Sequence, residues 1–460
     1  MPNAIAILAL LSWPLVSLGL FRWLPAGRAL IASIVVAYLL LPPLPAAFDL
    51  PLLPPLTKDT LPPLVALVLC LLLHPGRIEL IPRSPPLRAL LALYILAPVA
   101  TVLTNGEPIF FVTAALPGLG PHESLAMMVQ QGLQILPLLL ARSLLRESRD
   151  ARDMLWALAI GGLVYSLPML LEVRLAPVLN LRIYGYFQHD FGQMVRDGGY
   201  RPMVFLYHGL WAAFLAMSAA LAALALAREE GGRRSVSLLA AAGYMLVVLV
   251  LCKSMASLVY AIAFAPLVAF APALTKVRLA AAIAVLALVY PMAKGAHLVP
   301  EDEMLAAATS IDAERANSLA FRFEQERLLL DRAAEKPLFG WGSYGRNHLH
   351  DPVDGTILTI ADGRWVITIG VLGWLGFLAE FGLLTLPILT LAWRARGMEG
   401  GTVPGAVAAL TLLHAINLVD LLPNATLSIL TWTICGALIG QAERFVPVRR
   451  SAAQPVRTVL

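Results

Sequence analysis

Apolar runs close to the length that crosses a bilayer, about 17–25 residues, recur thirteen times along this chain. They fall at about 4–21, 29–47, 61–74, 87–104, 125–145, 154–171, 203–227, 236–252, 255–273, 277–296, 365–392, 403–422 and 426–442. The third is short and flanked by proline, so twelve spans is the alternative count. Hydrophobic residues make up 59% of the 460 and charged residues 14%, against about 45–50% and about 25% in ordinary globular chains. A soluble fold cannot hide that much apolar surface. The expected class is all-α: a polytopic helical membrane protein of about 12–13 transmembrane helices with a large external loop.

Basic residues give the orientation, because Lys and Arg favour the cytoplasmic loops. One alternating set of short loops and the tail holds Arg22, Arg28, Arg77, Arg83, Arg88, Arg142, Arg146, Arg149, Arg152, Arg228, Arg233, Arg234, Lys276, Arg278, Arg394, Arg396, Arg444, Arg449, Arg450 and Arg457. The short loops of the other set hold only Lys58 and Lys253. The first set is therefore expected in the cytoplasm, with the N-terminus outside and the C-terminus inside. Such loops also account for the net charge of +5, so no nucleic-acid partner is implied. The first run has no basic residues before it and is read as a span rather than a cleaved signal. Cys70, Cys252 and Cys435 lie far apart and suggest neither a disulfide framework nor a metal motif.

The chain divides into residues 1–296, with ten spans and an external segment at about 172–201; an external loop at 297–364; and spans plus a cytoplasmic tail at 365–460. The loop is rich in acidic residues. Within it, Ser318 to Glu335 reads as an amphipathic helix, capped by Asn317 or Ser318 and ended by Pro337. No repeat of solenoid period is present.

Charge beside an apolar region calls for a reason, and four external places carry it. Arg201 stands before a span with Pro202 at the helix start; it serves either as an interfacial arginine or as a bidentate cation for phosphate. Lys253 and Ser254 form a tight turn between two spans. Arg322 shares a helical face with Glu326, and Arg327 with Asp331, a pattern that surface ion pairing also explains. Asp362 lies at the mouth of the next span, as a general base or as an N-cap. His348 and His350 are two apart, which is not a helical metal pair, and no metal or other cofactor is expected.

The stretch from Arg322 to Gly342, read loosely as R-F-x-x-E-x-x-x-x-x-x-A-A-x-x-P-L-F-G-W-G, resembles the signature of the O-antigen ligase and polymerase superfamily of bacterial membrane glycosyltransferases. In that family an arginine precedes a Pro-Leu-Phe/Leu-Gly-x-Gly element by fifteen residues, as Arg322 precedes Pro337 here, with Gly340 and Gly342 completing the element. Asp362 to Gly376, with Gly370, Gly373 and Gly376, is a second match. Arg201 and Lys253-Ser254 are the third and fourth.

The resemblance implies a glycosyltransferase of the bacterial inner membrane, working at the periplasmic face on glycan carried by undecaprenyl diphosphate. Arg201, Lys253 and Arg322 would bind the diphosphate. Asp362, or else His350, would be the base. The acceptor would be a glycan or a lipid, membrane lipids would surround the site, and a chain-length regulator is a possible partner. Ligases carry a histidine where Asp362 stands and a tryptophan where Glu326 stands. These departures point to an O-antigen or exopolysaccharide polymerase rather than a ligase delivering glycan to lipid A-core. A transporter or flippase of lipid-linked or polyanionic cargo would need a path reaching both faces. A non-catalytic assembly subunit is the remaining reading.

Overall fold

The computed structural model describes residues 1–49, 54–196, 198–311, 313–396 and 403–444. Each of the thirteen apolar runs carries an α-helix: α1 (Ala4–Trp23), α2 (Ala26–Leu40), α3 (Leu61–Leu73), α4 (Pro85–Leu103), α5 (Pro121–Leu144), α6 (Ser148–Leu175), α8 (Gly209–Glu229), α9 (Gly232–Leu251), α10 (Met255–Phe270), α11 (Ala273–Gly295), α14 (Arg364–Arg396), α15 (Gly405–Asp420) and α16 (Ile429–Arg444). Among the described residues three α-helices lie outside these runs: α7 (Leu179–Tyr184), α12 (Glu301–Ile311) and α13 (Ala313–Ala334). Among the described residues eight helices are long and apolar enough to cross a membrane. The chain is an all-α, multi-pass membrane protein.

Packing sorts the helices. The apolar stretch of α8 is 78% buried, whereas those of α1 and α9 are 28% buried. Alanine and glycine explain the tight centre, because small residues let helix backbones approach in lipid. Gly162 of α6 rests against Ala219 of α8, where an added Cβ would sit 2.3 Å away. On α16, Gly436 and Gly440 are four apart and lie against the α5 backbone at Leu138 and Arg142. Exposed Leu, Ile and Val on α1, α9 and α10 then form the lipid-facing wall.

The basic loops gather on one face. There Arg28 pairs with Asp153 at 2.7 Å, Arg142 with Glu443 at 2.9 Å and Arg149 with Glu147 at 2.8 Å. The opposite face, called the cap face here, carries α7, α12, α13 and two short hairpins, β1 (Ile109–Phe110) with β2 (Ala115–Leu116) and β3 (Val195–Arg196) with β4 (Gly199–Tyr200). Arg449, Arg450 and Arg457, assigned to the tail, lie outside the described residues.

Several sequence expectations change. Residues 203–208 are not helical and α8 begins at Gly209, so Pro202 does not open the helix. The carboxylate of Glu172 holds this irregular stretch, accepting from the backbone N–H groups of Met203 at 2.8 Å and Val204 at 2.7 Å. Glu172 itself belongs to α6, not to an external loop. The amphipathic helix begins at Ala313, four residues before its expected cap. Arg327 and Asp331 pair at 3.7 Å, but Arg322 and Glu326 turn to different partners, Asp362 and Lys294.

The decisive feature is a break in α14. At Gly373 the backbone adopts φ 68°, a left-handed conformation suited to glycine. The loop after α13 fills the break. Trp341 N–H and Gly342 N–H donate to the carbonyls of Gly370 and Val371, each at 2.9 Å. Trp374 N–H and Leu375 N–H donate to Pro337 and Leu338 at 2.8 and 3.3 Å. Backbone groups inside a membrane protein must find partners, and here a loop supplies them. A Cβ on Gly373 would lie 2.3 Å from the Leu338 backbone, and one on Gly340 (φ 68°) would lie 2.5 Å from Val371.

Candidate functional site

With the loop seated in α14, Arg322 of α13 hangs over the start of that helix. Its Nε lies 3.5 Å from Asp362 Oδ2. One terminal nitrogen donates to the Pro423 carbonyl at 3.1 Å and to Asn424 Oδ1 at 3.3 Å. The Asn424 amide is oriented by donating from Nδ2 to buried Asp420 at 2.9 Å, and Thr426 also donates to Asp420 at 2.6 Å. Asp420 thus shapes the loop between α15 and α16 so that carbonyl oxygens face Arg322. Asp362 does not cap α14; its side chain turns to Arg322. Gly363 permits the close approach, since a Cβ there would sit 2.3 Å from the Leu422 carbonyl oxygen.

The second half of the site comes from the middle of the chain. Arg201 is buried and packs against Gly209 at the N-terminus of α8, and its backbone N–H donates to Met194 at 2.8 Å. Lys253 occupies the expected tight turn (φ 53°) and donates from Nζ to the Arg196 carbonyl at 2.7 Å, beside Gly199. The β3–β4 hairpin therefore ties Lys253 to the segment carrying Arg201.

His208 joins the halves. Its Nδ1 accepts from Leu210 N–H at 3.0 Å, capping α8, and its ring meets that of His189 edge-on at 4.7 Å. Burial, followed by the positive fields of Arg201, His189, Arg322 and Arg196, pushes its pKa down to about 3. At neutral pH the ring is uncharged, and with Nδ1 accepting, Nε2 carries the proton. Arg322, from a distant part of the chain, thus acts with the nearby Arg201 and Arg196 on one histidine at a helix N-terminus. Such an end attracts anions through its dipole. The arrangement can bind a polyvalent anion with a carboxylate beside it.

The other sequence-chosen residues serve elsewhere. Pro337, Gly340 and Gly342 belong to the strand of loop inserted in α14; Gly342 (φ 79°) also packs against Leu119. His350 lies beside the β1–β2 hairpin, its ring 5.4 Å from Phe111. Burial, with His348 and Arg332, lowers its pKa, and its contacts tie it to the hairpin rather than to Arg322. That hairpin bonds to the same loop through Val112 N–H and Thr113 N–H, which donate to Pro352 and Val353. Among the described residues no three His, Cys, Asp or Glu side chains group as a metal site.

Sequence reasoning missed His208, Asp420 and Asn424. Two of them, His208 and Asp420, are ionisable residues inside expected spans, a signal that itself points to function. Sequence reasoning also missed two cavities. One of about 510 Å³ opens among α4, α5 and α14, and one of about 550 Å³ lies at the basic-loop face beside Arg28 and Arg146. Buried Ile135, Leu138, Leu139 and Leu140 of α5 lie between them.

A scan of protein-family models and a search of curated proteins each found no match.

Proposed function

We propose that this chain is a membrane glycosyltransferase that polymerises glycan carried on undecaprenyl diphosphate, with its site on the periplasmic side of a bacterial inner membrane. The observation that carries this reading is the convergence of Arg201 and Arg322 on His208, with Lys253 tied to the same hairpin and Asp362 at 3.5 Å from Arg322. Sequence supplies the rest: the Arg322-to-Gly342 resemblance, whose Pro-Leu-Phe-Gly element proves to have a physical task in α14.

In this reading an acceptor hydroxyl attacks the anomeric carbon of the donor. Its proton passes to the Asp362 carboxylate. The bond from that carbon to the diphosphate oxygen breaks, and the electron pair leaves with the lipid diphosphate. Arg201, Arg322, Lys253 and the Nε2–H of His208 meet the growing negative charge, which is where fixed donors lower a barrier most. The donor also competes with Asp362 for Arg322, which frees the carboxylate as the substrate arrives. No nucleotide or other cofactor is required, because the diphosphate ester is already activated.

The test is glycan analysis of cells carrying Arg322→Ala or Arg201→Ala. Polymer should disappear while single lipid-linked repeats remain. Full-length polymer retained on its carrier would instead indicate a ligase. Unchanged polymer yield and length in both variants would end the glycosyltransferase reading.

A further inference from the structure

The cavity of about 510 Å³ among α4, α5 and α14 is separate from the cation cluster and has a distinct chemistry. Helical spacing aligns its polar wall. His122, Gln130 and Gln134 follow one ridge of α5, and Gln131 stands beside them. From His122 to Gln134 the helix descends about 18 Å at about 1.5 Å per residue, well into a hydrocarbon core of about 30 Å. Three amides at that depth, facing lipid, would be costly. They face a cavity instead.

Its charge is cancelled. Arg364 lines the wall, and its guanidinium grips fully buried Glu380 with Nε at 2.7 Å from Oε1. Thr368 donates to the same carboxylate at 2.8 Å, and Tyr94 donates to Gln134 Oε1 at 2.9 Å. Gln131 is 7% exposed, and its Oε1 has no hydrogen-bond partner among the described residues. A buried amide oxygen without a partner is costly, and this one meets a donor in the cavity only when the Gln131 side chain turns toward it. Pro54, Pro55, Met127 and Leu372 form the apolar part of the lining. Neutral amides and a phenol facing apolar surface suit a ligand with hydroxyls on its edge and C–H groups on its faces. Lipid tails would leave the amides unsatisfied, and an anion would find Arg364 already paired.

The position gives the cavity a role. Arg364 is two residues past Asp362, and its backbone N–H donates to Leu421 and Asn424, the latter also bonded to Arg322. Asp362 faces Arg322 and Arg364 faces the cavity, so the two sites adjoin across the first turn of α14. We propose that this cavity binds an uncharged stretch of glycan and delivers its end to Asp362 as the acceptor. That role rests on the glycosyltransferase reading; the binding itself does not.

The experiment uses the full chain in lipid nanodiscs. Its probe is a phosphate-free, fluorescently labelled oligosaccharide two repeats long, cut by mild acid from the source strain's own surface polysaccharide. Saturable binding is expected for the native chain, weakened at least tenfold by Gln131→Leu with Gln134→Leu. Met127→Trp, which fills the cavity without removing an amide, should weaken it similarly. Arg322→Ala should change it less than twofold, and inorganic pyrophosphate should not compete. No saturable binding to the native chain, or equal binding by folded Met127→Trp, would overturn the proposal. Because the assay reads binding without turnover, loss of the glycosyltransferase reading alone would leave its outcome unchanged.

Discussion

Arginine has opposite tasks at the two ends of this bundle. At the basic-loop face, carboxylates take several guanidinium groups, Arg28 with Asp153, Arg142 with Glu443 and Arg149 with Glu147, while Arg228 donates to the Ala269 and Ala271 carbonyls. The first two pairs fasten distant segments to each other, and the third lies within the first turn of α6. At the cap face Arg322 gives one terminal nitrogen to the neutral oxygens of Pro423 and Asn424 and keeps Asp362 at 3.5 Å. Its field adds to those of Arg201 and Arg196 at His208. What surrounds the charge, not the residue type, separates a clasp from a binding site. A closely paired arginine has little attraction left for a ligand, whereas Arg322, with its carboxylate 3.5 Å away, keeps more of its own.

That contrast can be broken most severely by removing the cap-face cations. Arg201→Ala with Arg322→Ala should lower glycan elongation at least about 10²–10³-fold, the usual loss when a preorganised donor to developing charge is deleted. The double variant should still purify as a folded protein. Next in size, Gly373→Val should destabilise the chain by about 3 kcal/mol or more, because a side chain meets backbone at a positive φ. Thermal denaturation in detergent reads that loss. Arg142→Met should cost about 3 kcal/mol by breaking a buried pair and leaving Glu443 only Arg146 at 4.0 Å, with turnover per folded molecule unchanged; a fall in turnover would erase the distinction between the faces.

A pH effect sharpens the same contrast. His208 has a folded pKa depressed to about 3, from an ordinary value of 6.5. The unfolded chain therefore takes up the proton first. Stability should fall as pH drops from about 6.5 toward 3, and His208→Gln should flatten that descent in pH-dependent melting curves. Smallest of all, Arg28→Ala should barely move the melting temperature, since an exposed ion pair contributes little, and should leave elongation within twofold.

Much of the architecture could be read from the chain because a bilayer imposes one strong rule on it. Thirteen apolar runs gave thirteen helices, and the segregation of arginines by loop reappears as two distinct faces. Hydropathy fails where apolar residues do not form helix. Residues 203–208 look like the start of a span, yet Glu172, thirty-one residues from Met203, holds their backbone away from it. His208 was hidden inside that supposed span. The glycines of α14 signal a special segment, but not that residues 337–342 would enter the break. That pairing depends on contacts between residues 29 or 37 positions apart. Arg322 and Asp362 were legible as charged residues beside the membrane; Asn424, the partner of Arg322, was not, because an asparagine in a short loop has no distinguishing pattern. The glutamines of α5 show the same limit, since their stripe acquires meaning only when α4 and α14 close the cavity.

The most direct measurement is calorimetric titration of inorganic pyrophosphate into the purified chain in nanodiscs. Saturable binding is predicted, weakened at least tenfold by Arg322→Ala and by Arg201→Ala, and unaltered by Arg28→Ala. Equal affinity in all four proteins, or no binding to any, would contradict the claim that the cap-face cations form a diphosphate site.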